Sequence, residues 1–365
     1  MSQMAKSITE RRKSSHLRIC STKNVEFAHK TTGFEDIDFV HRALPELGLD
    51  KIDITCSAFG KRLSAPFFIE SITGGSAEAK RINKSLAAAA EKAGVAMGLG
   101  SQRAMIESPS LSDTYRVRDV APDILLIGNI GIAQLMEYDV KRITDAVDCV
   151  GADAIFVHLN ALQEAIQPEG NRNFEKCLSY LEKFTSQLSI PVIAKETGAG
   201  ISRDIAAALS KAGVKGIDVA GAGGTSWGAV ELHRNSQGHE SFWEWGVPTA
   251  LSVVEVASTC KLPIIASGGI RSGCDAAKAI ALGADYAGAA LPFLKAAEKG
   301  EKAVFDELER WKEQLKICMF LTACGSLRSL ANAQLMITGR TAELFRLRGI
   351  SPEGFANRRE SKTIL

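Results

Sequence analysis

A group of polar side chains follows directly after an apolar run at residues 154–157 that favours a β-strand. His158, Asn160, Gln163 and Glu164 bring an imidazole, two amides and a carboxylate into one short stretch. Groups of this kind orient polar ligands and move protons. The oxygens of Glu164 suit Mg²⁺, with a diphosphate ligand supplying further oxygens. The structural alternative is a carboxylate placed at a helix start because the helix dipole stabilises it there.

A glycine-rich loop lies within residues 263–294. An apolar run stops at the sequence Ser-Gly-Gly (267–269), and Ser272 then offers a helix N-cap with Asp275 at capping-box spacing. Glycine backbone N–H groups, the helix N-terminus and the forked cation of Arg271 all suit a phosphate. A tight turn without a ligand is the alternative. A loop of this kind before the last strand is typical of phosphate-binding (β/α)₈ barrels.

Lys195 ends another apolar run, at residues 191–194. A lysine in this position can form a Schiff base, bind phosphate, or place positive charge beside an electron-rich cofactor. The sequence Gly-Ala-Gly-Gly-Thr at 221–225 forms a second candidate backbone cradle. Because it lacks the strand–helix context of a dinucleotide-binding fold, NAD bound in that manner is not expected.

Short apolar runs alternate with helical patterns from residue 65 onward, which predicts the elements that position these groups. Predicted strands are 66–72, 95–99, 124–128, 154–159, 192–195, 216–220, 264–267 and 284–289. Predicted helices are 77–93, 109–120, 139–150, 174–188, 203–212, 249–259 and 274–282. Eight strands alternating with helices favour an α/β fold, a (β/α)₈ TIM barrel, over the alternative of a doubly wound open sheet. In a barrel the polar groups would meet at the carboxyl ends of the strands.

Two further segments frame the predicted barrel. Residues 1–64 form an irregular N-terminal extension that packs on the barrel, and 65–365 form the barrel with extra C-terminal helices, including an amphipathic helix at 301–321. Residues 229–246 lengthen one connection and are expected to form a lid or a subunit contact.

The composition is that of an ordinary globular protein, since 45% of the 365 residues are hydrophobic and 24% are charged. A net charge of +2 favours neither nucleic acid nor a membrane surface as a partner. No apolar run has the length of a membrane span or of a signal-peptide core, which predicts a cytoplasmic protein. The eight cysteines have no metal-ligand spacing and are expected to be free thiols.

Several motifs occur in order between about residue 11 and residue 294: R-R-K-S-S-H, S-I-T-G-G, G-S-Q-R, H-L-N-A-L-Q-E, A-K-E-T-G, G-G-T-S-W, S-G-G-I-R-S-G and A-L-P. Together they resemble the type 2 isopentenyl-diphosphate isomerase family, the FMN-dependent barrel form of that enzyme. The resemblance implies interconversion of isopentenyl and dimethylallyl diphosphate without net redox change. It also implies reduced FMN as the active cofactor, Mg²⁺, NADPH as the reductant, and a homo-oligomer (tetramer or octamer).

The resemblance also implies roles for individual residues. The implied FMN contacts are Ser71, Ile72, Thr73, Ser101, Asn129, Lys195, Thr225, Gly269, Ile270, Arg271, Ala290 and Leu291. The implied substrate contacts are Arg12, Lys13, Ser101, Gln102, Arg103, His158, Asn160 and Gln163, with Glu164 as the Mg²⁺ ligand. Trp227 and Glu231 correspond to residues beside the alkene, so the implied catalytic set is His158, Gln163, Trp227 and Glu231.

Two positions depart from the family pattern. Ala220 stands where some members have a serine that contacts FMN, so one hydrogen bond is missing or is supplied by water. Glu70 precedes the flavin segment where small or neutral residues are usual, and its carboxylate either changes the local electrostatics or points outward.

Other functions compete with the isomerase. An FMN-dependent 2-hydroxy-acid oxidase shares the S-G-G-x-R loop, but it carries a catalytic histidine after the sixth strand, where this chain has none before His233. A non-catalytic flavin- or phosphate-binding barrel explains the glycine loops but not the polar groups beside them. A phosphosugar aldolase could use Lys195 but leaves Gln163 and Trp227 unexplained.

Overall fold

Eight parallel strands close into a barrel in the computed structural model of the chain, which describes residues 8–235 and 240–358, with the side chains of 8–12 and 14 left out. The strands of the described chain are β1 Ile37–Phe39, β2 Cys56–Ala58, β3 Lys61–Leu63, β4 Phe67–Ile69, β5 Ala96–Gly98, β6 Leu126–Gly131, β7 Ala154–His158, β8 Val192–Lys195, β9 Gly216–Asp218, β10 Ile264–Ala266, β11 Tyr286–Ala289 and β12 Leu335–Ile337.

Its helices are α1 Ile8–Thr22, α2 Ala77–Ala93, α3 Arg103–Glu107, α4 Gln134–Glu137, α5 Val140–Val150, α6 Ala161–Ile166, α7 Cys177–Gln187, α8 Arg203–Lys211, α9 Trp227–Arg234, α10 Thr249–Ala257, α11 Gly273–Leu282, α12 Leu291–Glu298, α13 Glu301–Leu321, α14 Leu327–Leu330, α15 Gly339–Leu347 and α16 Pro352–Ala356. None of these helices is long and apolar enough to cross a membrane.

The barrel runs from β4 through β11 in chain order, and β11 pairs with β4 to close it, with Ala289 opposite Ile69. The predicted (β/α)₈ barrel is therefore confirmed, and the open sheet is wrong. The register places His158, the last residue of β7, opposite Lys195, the last residue of β8. Because all eight strands are parallel, their carboxyl ends and the polar groups that follow them meet at one end of the barrel.

The other end of the barrel is plugged by the hairpin of β2 and β3. The Tyr286 hydroxyl donates to the Ser57 carbonyl at 2.6 Å, and the Phe59 ring lies 6.4 Å from the Tyr286 ring. Phe68 and Phe156 are fully buried in the same cluster inside the barrel. The amino end is thus packed with side chains, which leaves the carboxyl end for a ligand.

The N-terminal segment packs along the barrel and joins the C-terminal helices. The Phe27 N–H donates to the Gly224 carbonyl at 3.0 Å, and β1 pairs antiparallel with β12. Helix α13 covers the outside of the barrel, where Trp311 is fully buried with its ring 5.0 Å from that of Phe293.

Two local predictions were wrong. The segment around Lys13 was expected to be irregular, but α1 is helical because tertiary packing buries Leu17 and Ile19. The predicted helix at 109–120 is only a 3₁₀ turn at Pro109–Thr114, preceded by the five-residue α3. The residue before Pro109 is extended, as a residue before proline prefers to be. This extended residue ends α3 and separates it from the 3₁₀ turn.

The long connection at 229–246 packs against the chain's own N-terminal segment. Trp243 donates from Nε1 to the Glu26 carbonyl at 2.9 Å and contacts the cluster of Ile19, Val25 and Val230. Trp243 is therefore half-buried within the chain.

Candidate active site

A cavity at the carboxyl end of the barrel, called here the central cavity, collects side chains from the ends of the barrel strands and from α1. Most of the residues singled out in the sequence line it. They are Lys13, Ser71, Ile72, Thr73, Ser101, Arg103, Asn129, His158, Asn160, Gln163, Glu164, Lys195, Thr225, Trp227, Gly269, Arg271, Ala290 and Leu291. Residues far apart in the chain thus share one cavity.

Three of the predicted residues, Gln102, Ile270 and Glu231, lie off the cavity lining, and the side chain of a fourth is not described. The Gln102 side chain turns away from the cavity, since its amide donates to the Ala146 carbonyl at 2.8 Å and accepts from the Asn129 N–H at 3.0 Å. Ile270 is fully buried behind the wall. Glu231 lies directly behind the lining. The Arg12 side chain falls outside the described residues.

Asn129 orients His158 at the end of β7. The two side chains meet with Nδ1 of His158 2.7 Å from Oδ1 of Asn129. Because an amide oxygen can only accept, this contact assigns the ring proton to Nδ1. The neighbouring Gly131 leaves room for the ring, since a Cβ there would lie 2.8 Å from the His158 Nε2.

Glu164 is buried on α6 and both of its oxygens accept hydrogen bonds. Oε1 accepts from the Asn160 amide at 2.9 Å, and Oε2 accepts from the Asn171 N–H at 2.6 Å. Among the described residues no group of three or more His, Cys, Asp and Glu side chains is placed to hold a metal ion. A lone carboxylate fits Mg²⁺ only if ligand phosphates or waters supply most of the coordination.

Glu231 is held by three side chains behind the cavity lining. Its Oε1 lies 2.9 Å from Nε2 of His16 and 3.4 Å from Nε2 of Gln163, and its Oε2 accepts from Nε of Arg234 at 2.7 Å. Burial alone would raise the pKa of Glu231, but the hydrogen bonds and charges of His16 and Arg234 outweigh it and lower that pKa. Glu231 is therefore an ionised carboxylate, able to accept a proton. The Trp227 ring packs edge-on to the His16 ring, with centroids 5.2 Å apart.

Basic side chains enter the cavity from two elements. Lys13, on α1, donates from Nζ to the Ser101 carbonyl and to the Tyr115 hydroxyl, each at 2.5 Å. Arg103, on α3, pairs with Glu107 at 2.7 Å. The N-terminal basic segment thus reaches the cavity of its own chain.

Lys195 is buried between two carboxylates. Its Nζ lies 2.5 Å from Oδ2 of Asp218 and 2.9 Å from Oε2 of Glu70. Burial would lower the pKa of Lys195, but the charges of Asp218 and Glu70 raise it above the usual lysine value. A permanently protonated amine is a poor nucleophile, so a Schiff base at Lys195 is disfavoured.

Two glycine-rich loops meet at the predicted phosphate cradle. Gly268 and Gly269 have φ of +92° and +76°, and a Cβ on Gly224 would lie 2.3 Å from the Gly269 nitrogen. Ser272 caps α11, and its Oγ accepts from the backbone of the third residue along at 3.1 Å. Arg271 lines the cavity, and its guanidinium donates to the half-buried carboxylate of Glu26 at 2.6 Å. The glycine-rich backbone before the start of α11 and the guanidinium fit a phosphate.

Several buried polar atoms on the cavity wall make no hydrogen bond within the described chain. They are Oγ of Ser71, Nε2 of Gln134, and both amide atoms of Gln167. Unpaired polar groups of this kind are costly in a closed fold. Together with the loops above, they fit a polar, phosphorylated cofactor and substrate.

Three polar lining residues were not predicted from the sequence: His16, Gln134 and Gln167. His16 lies three positions after Lys13, a spacing that puts both on one side of a helix, and would have been found had α1 been predicted. Gln167 lies one helical turn after Gln163 in the same polar row. Gln134 gives no signal in the sequence beyond following β6.

Comparisons with known proteins agree with this geometry. A family model described as FMN-dependent dehydrogenase matches residues 5–116 and 131–337. A relative from Methanosarcina mazei named isopentenyl-diphosphate delta-isomerase is 47% identical over 352 residues, which cover 94% of this chain and 96% of the relative. One of the same name from Archaeoglobus fulgidus is 48% identical over 347 residues, 93% of this chain and 99% of the relative.

A solved structure of mandelate oxidase with (S)-2-phenylpropionate is similar with a TM-score of 0.63 and 19% identity, over 90% of this chain and 97% of that one. At this identity the likeness concerns the barrel fold alone.

Proposed function

Because the chain belongs to the FMN-dependent dehydrogenase family and, within it, to the isopentenyl-diphosphate delta-isomerases, we propose that it interconverts isopentenyl and dimethylallyl diphosphate with reduced FMN bound in the central cavity. A proton has to reach one carbon of an unactivated alkene while another proton leaves an adjacent position. An alkene is a poor base, so the proton donor has to be close, oriented and shielded from water.

The observation that carries the proposal is that the phosphate cradle and the polar row of α6 face one cavity. The cradle at 267–271 lies on the β10 side, and His158, Asn160 and Gln163 lie on the β7 side. A phosphorylated cofactor bound at the cradle leaves the polar groups on the β7 side free to bind a different ligand. Two ligands side by side are what a flavin-dependent reaction on a diphosphate requires.

FMN is supported by the two glycine loops and by Lys195. The loops and Arg271 suit its phosphate, and the protonated amine of Lys195 suits the electron-rich part of its ring. When bound, FMN supplies a ring system that exchanges electrons and protons next to the alkene. The unpaired hydroxyl of Ser71 offers it a further hydrogen bond.

The diphosphate of the substrate is assigned to the basic and amide groups on the other side of the cavity. Lys13 and Arg103 supply positive charge, and Asn160 and Gln163 supply amide donors. Glu164 with Mg²⁺ would add charge neutralisation, with phosphate oxygens completing the coordination. Burying a diphosphate without such cations would cost several kcal/mol.

Glu231 and Gln163 are the groups proposed to move protons at the alkene side. Glu231 is ionised and linked through its Oε1 to both His16 and Gln163. It can hold a proton that leaves the substrate, and its hydrogen bonds with His16 and Gln163 fix its position. Trp227, packed on His16, excludes water from the same region.

The competing functions lack such support. The histidine that a 2-hydroxy-acid oxidase needs does not come from His233, whose Nε2 bonds to the Asn24 carbonyl at 2.9 Å outside the cavity lining. A Schiff-base aldolase is disfavoured by the protonated Lys195. A merely binding barrel would not need the ionised carboxylate behind Gln163.

We also propose, from family membership, NADPH as the reductant, a cytoplasmic location and a homo-oligomer of four or eight chains with no nucleic-acid or membrane partner. The test of the main proposal is turnover of isopentenyl diphosphate by the purified protein with reduced FMN, with and without Mg²⁺. A protein reconstituted with 5-deazaFMN under reducing conditions is the matched control. Full turnover with 5-deazaFMN, or none with reduced FMN and Mg²⁺, contradicts the proposed role of the flavin.

A further inference from the structure

Three charged side chains meet at the floor of the central cavity. Glu70 follows β4, Lys195 ends β8 and Asp218 ends β9, and Lys195 lies between the two carboxyl groups. Glu70 and Lys195 line the cavity, and all three side chains are less than a tenth exposed. With both carboxyl groups ionised, this cluster carries a net charge of −1.

The two carboxyl groups have unequal surroundings. Asp218 accepts from Lys195, from the Ser267 hydroxyl at 2.5 Å and from the Ala220 N–H at 3.2 Å. Glu70 has the ion pair with Lys195 and lies beside the carboxyl of Asp218, and its oxygens have no other hydrogen-bond partner in the described chain. A carboxylate with three donors stays ionised, whereas one with a single cation in a buried site can be neutral.

The neighbour of Glu70 on the β11 side is uncharged. On the β11 side stands Gly288, where a Cβ would lie only 1.9 Å from Oε1 of Glu70. The charged groups that face Glu70 are Lys195 and Asp218, and burial together with Asp218 raises the pKa of Glu70 to about 8, against the opposing effect of Lys195.

We propose that Glu70 is a proton-holding group of the cavity, which takes up one proton when the bound flavin is reduced. The inference rests on the proposed FMN site. Two electrons from a reductant such as dithionite enter the flavin together with one proton, which leaves negative charge on the ring. Above about pH 8, where Glu70 is ionised before reduction, a second proton from water then binds an oxygen of Glu70, and the net charge of the cluster changes from −1 to zero. Like-charge repulsion in a buried site favours this uptake.

Glu70 would act through the charge of the cavity, as a positioning residue, without touching the substrate. Lys195 then keeps its full positive charge for the ring, because only Asp218 remains to neutralise it. If Glu70 were only an ion-pair partner for Lys195, its replacement would change stability but not the number of protons bound on reduction.

The experiment is proton counting during reduction of the FMN-loaded protein by dithionite at about pH 9, in the unaltered protein and in Glu70→Gln, after subtraction of the protons that dithionite oxidation itself releases. Close to two protons per two electrons are expected for the unaltered protein, and one for Glu70→Gln. The reduced-minus-oxidised infrared spectrum should contain a carboxylic-acid C=O band that Glu70→Gln lacks.

Glu196→Gln is the matched control. Burial raises the pKa of Glu196 to about 7, but its carboxylate is turned to the backbone N–H groups of the following loop, including those of Gly198 and Ala199 at 2.6 Å each. The proton count of this variant should equal that of the unaltered protein.

Equal counts in the unaltered protein and Glu70→Gln overturn the inference. If Glu70→Gln does not retain FMN, the unaltered protein alone decides. The inference is then overturned if that protein takes up only one proton per two electrons and shows no carboxylic-acid band. If the protein binds FMN and isomerises its substrate but gives one of these two results, only the role of Glu70 is refuted and the proposed function stands. A protein that does not bind FMN refutes the proposed function as well.

Discussion

Nε2 of His16 lies 2.9 Å from Oε1 of Glu231, which joins the N-terminal helix α1 to helix α9 at the edge of the central cavity. The contact links residues 215 positions apart in the chain. It makes α1 part of the cavity wall, and it helps to hold Glu231 in its ionised form.

Glu231→Gln should reduce turnover because the amide cannot accept a proton. We expect kcat to fall by roughly a hundredfold or more, with FMN content unchanged. Steady-state kinetics and the flavin absorption spectrum measure the two effects. A variant with normal kcat would show that Glu231 is only a structural partner of His16 and Arg234.

The same variant should change the dependence of stability on pH. The pKa of Glu231 is lower in the folded protein than in the unfolded chain, so its ionisation stabilises the fold above the unfolded value, near 4.3. That contribution is lost as the pH falls through the lower, folded pKa. Between pH 7 and the acid range, the free energy of unfolding should therefore decrease less for Glu231→Gln than for the unaltered protein. Urea denaturation at several pH values tests this, and equal slopes contradict it.

Glu164→Gln should weaken the dependence on Mg²⁺ and raise the KM for substrate while FMN content hardly changes. A small loss of stability is also expected. Asn160 and the Asn171 N–H both donate to Glu164, and a glutamine has one acceptor oxygen for the two donors, so about 1 kcal/mol should be lost. Glu175→Gln, an exposed carboxylate farther along the same connection, is the control and should behave like the unaltered protein. Loss of FMN together with the fold would mean that Glu164 has a purely structural role.

Gln167→Met tests whether the unpaired amide of Gln167 serves a ligand. The side chain is 1% exposed and neither amide atom has a partner in the described chain. Replacing a buried, unpaired amide by an apolar group of similar size should leave the fold equally stable or more stable. If a ligand uses the amide, KM rises at the same time. A higher melting temperature with unchanged KM would show that the amide has no ligand.

The barrel and most of the cavity lining were predictable because short buried strands that end in polar residues leave a local pattern. Contacts between distant segments leave none. Gly269 illustrates the difference between local patterns and distant contacts. From the sequence, a glycine at this position was expected to suit a phosphate. A Cβ there would in fact lie 2.3 Å from Cγ2 of Thr32 and 2.8 Å from the Gly223 carbonyl. Packing of the N-terminal segment therefore also requires the glycine, and a valine at this position would disturb the fold as well as the cradle.

Gln102 shows the same limit within a motif. Its neighbours Ser101 and Arg103 line the cavity, but its own amide faces the barrel wall. Whether a side chain here faces the cavity or the barrel wall depends on the backbone conformation after β5, which secondary-structure propensity does not determine.

Arg12 and Lys13 belong to a basic segment that composition alone would assign to a solvated arm. Lys13 donates to the Ser101 carbonyl and the Tyr115 hydroxyl inside the cavity, so its charge is already positioned before any ligand binds. The other cation assigned to the diphosphate, Arg103, is partly neutralised by Glu107 at 2.7 Å.

Replacing both Arg12 and Lys13 by alanine should leave the FMN spectrum nearly unchanged and lower the melting temperature only slightly, through loss of the two Lys13 hydrogen bonds. It should lower kcat/KM by roughly a hundredfold or more, equivalent to about 3 kcal/mol of transition-state stabilisation. Arg18→Ala is the matched control, because Arg18 lies on the same helix with its side chain exposed. Normal kcat/KM in the double variant would mean that neither side chain serves the substrate. An equal loss in Arg18→Ala would mean that α1 contributes general positive charge and no specific contact with the diphosphate.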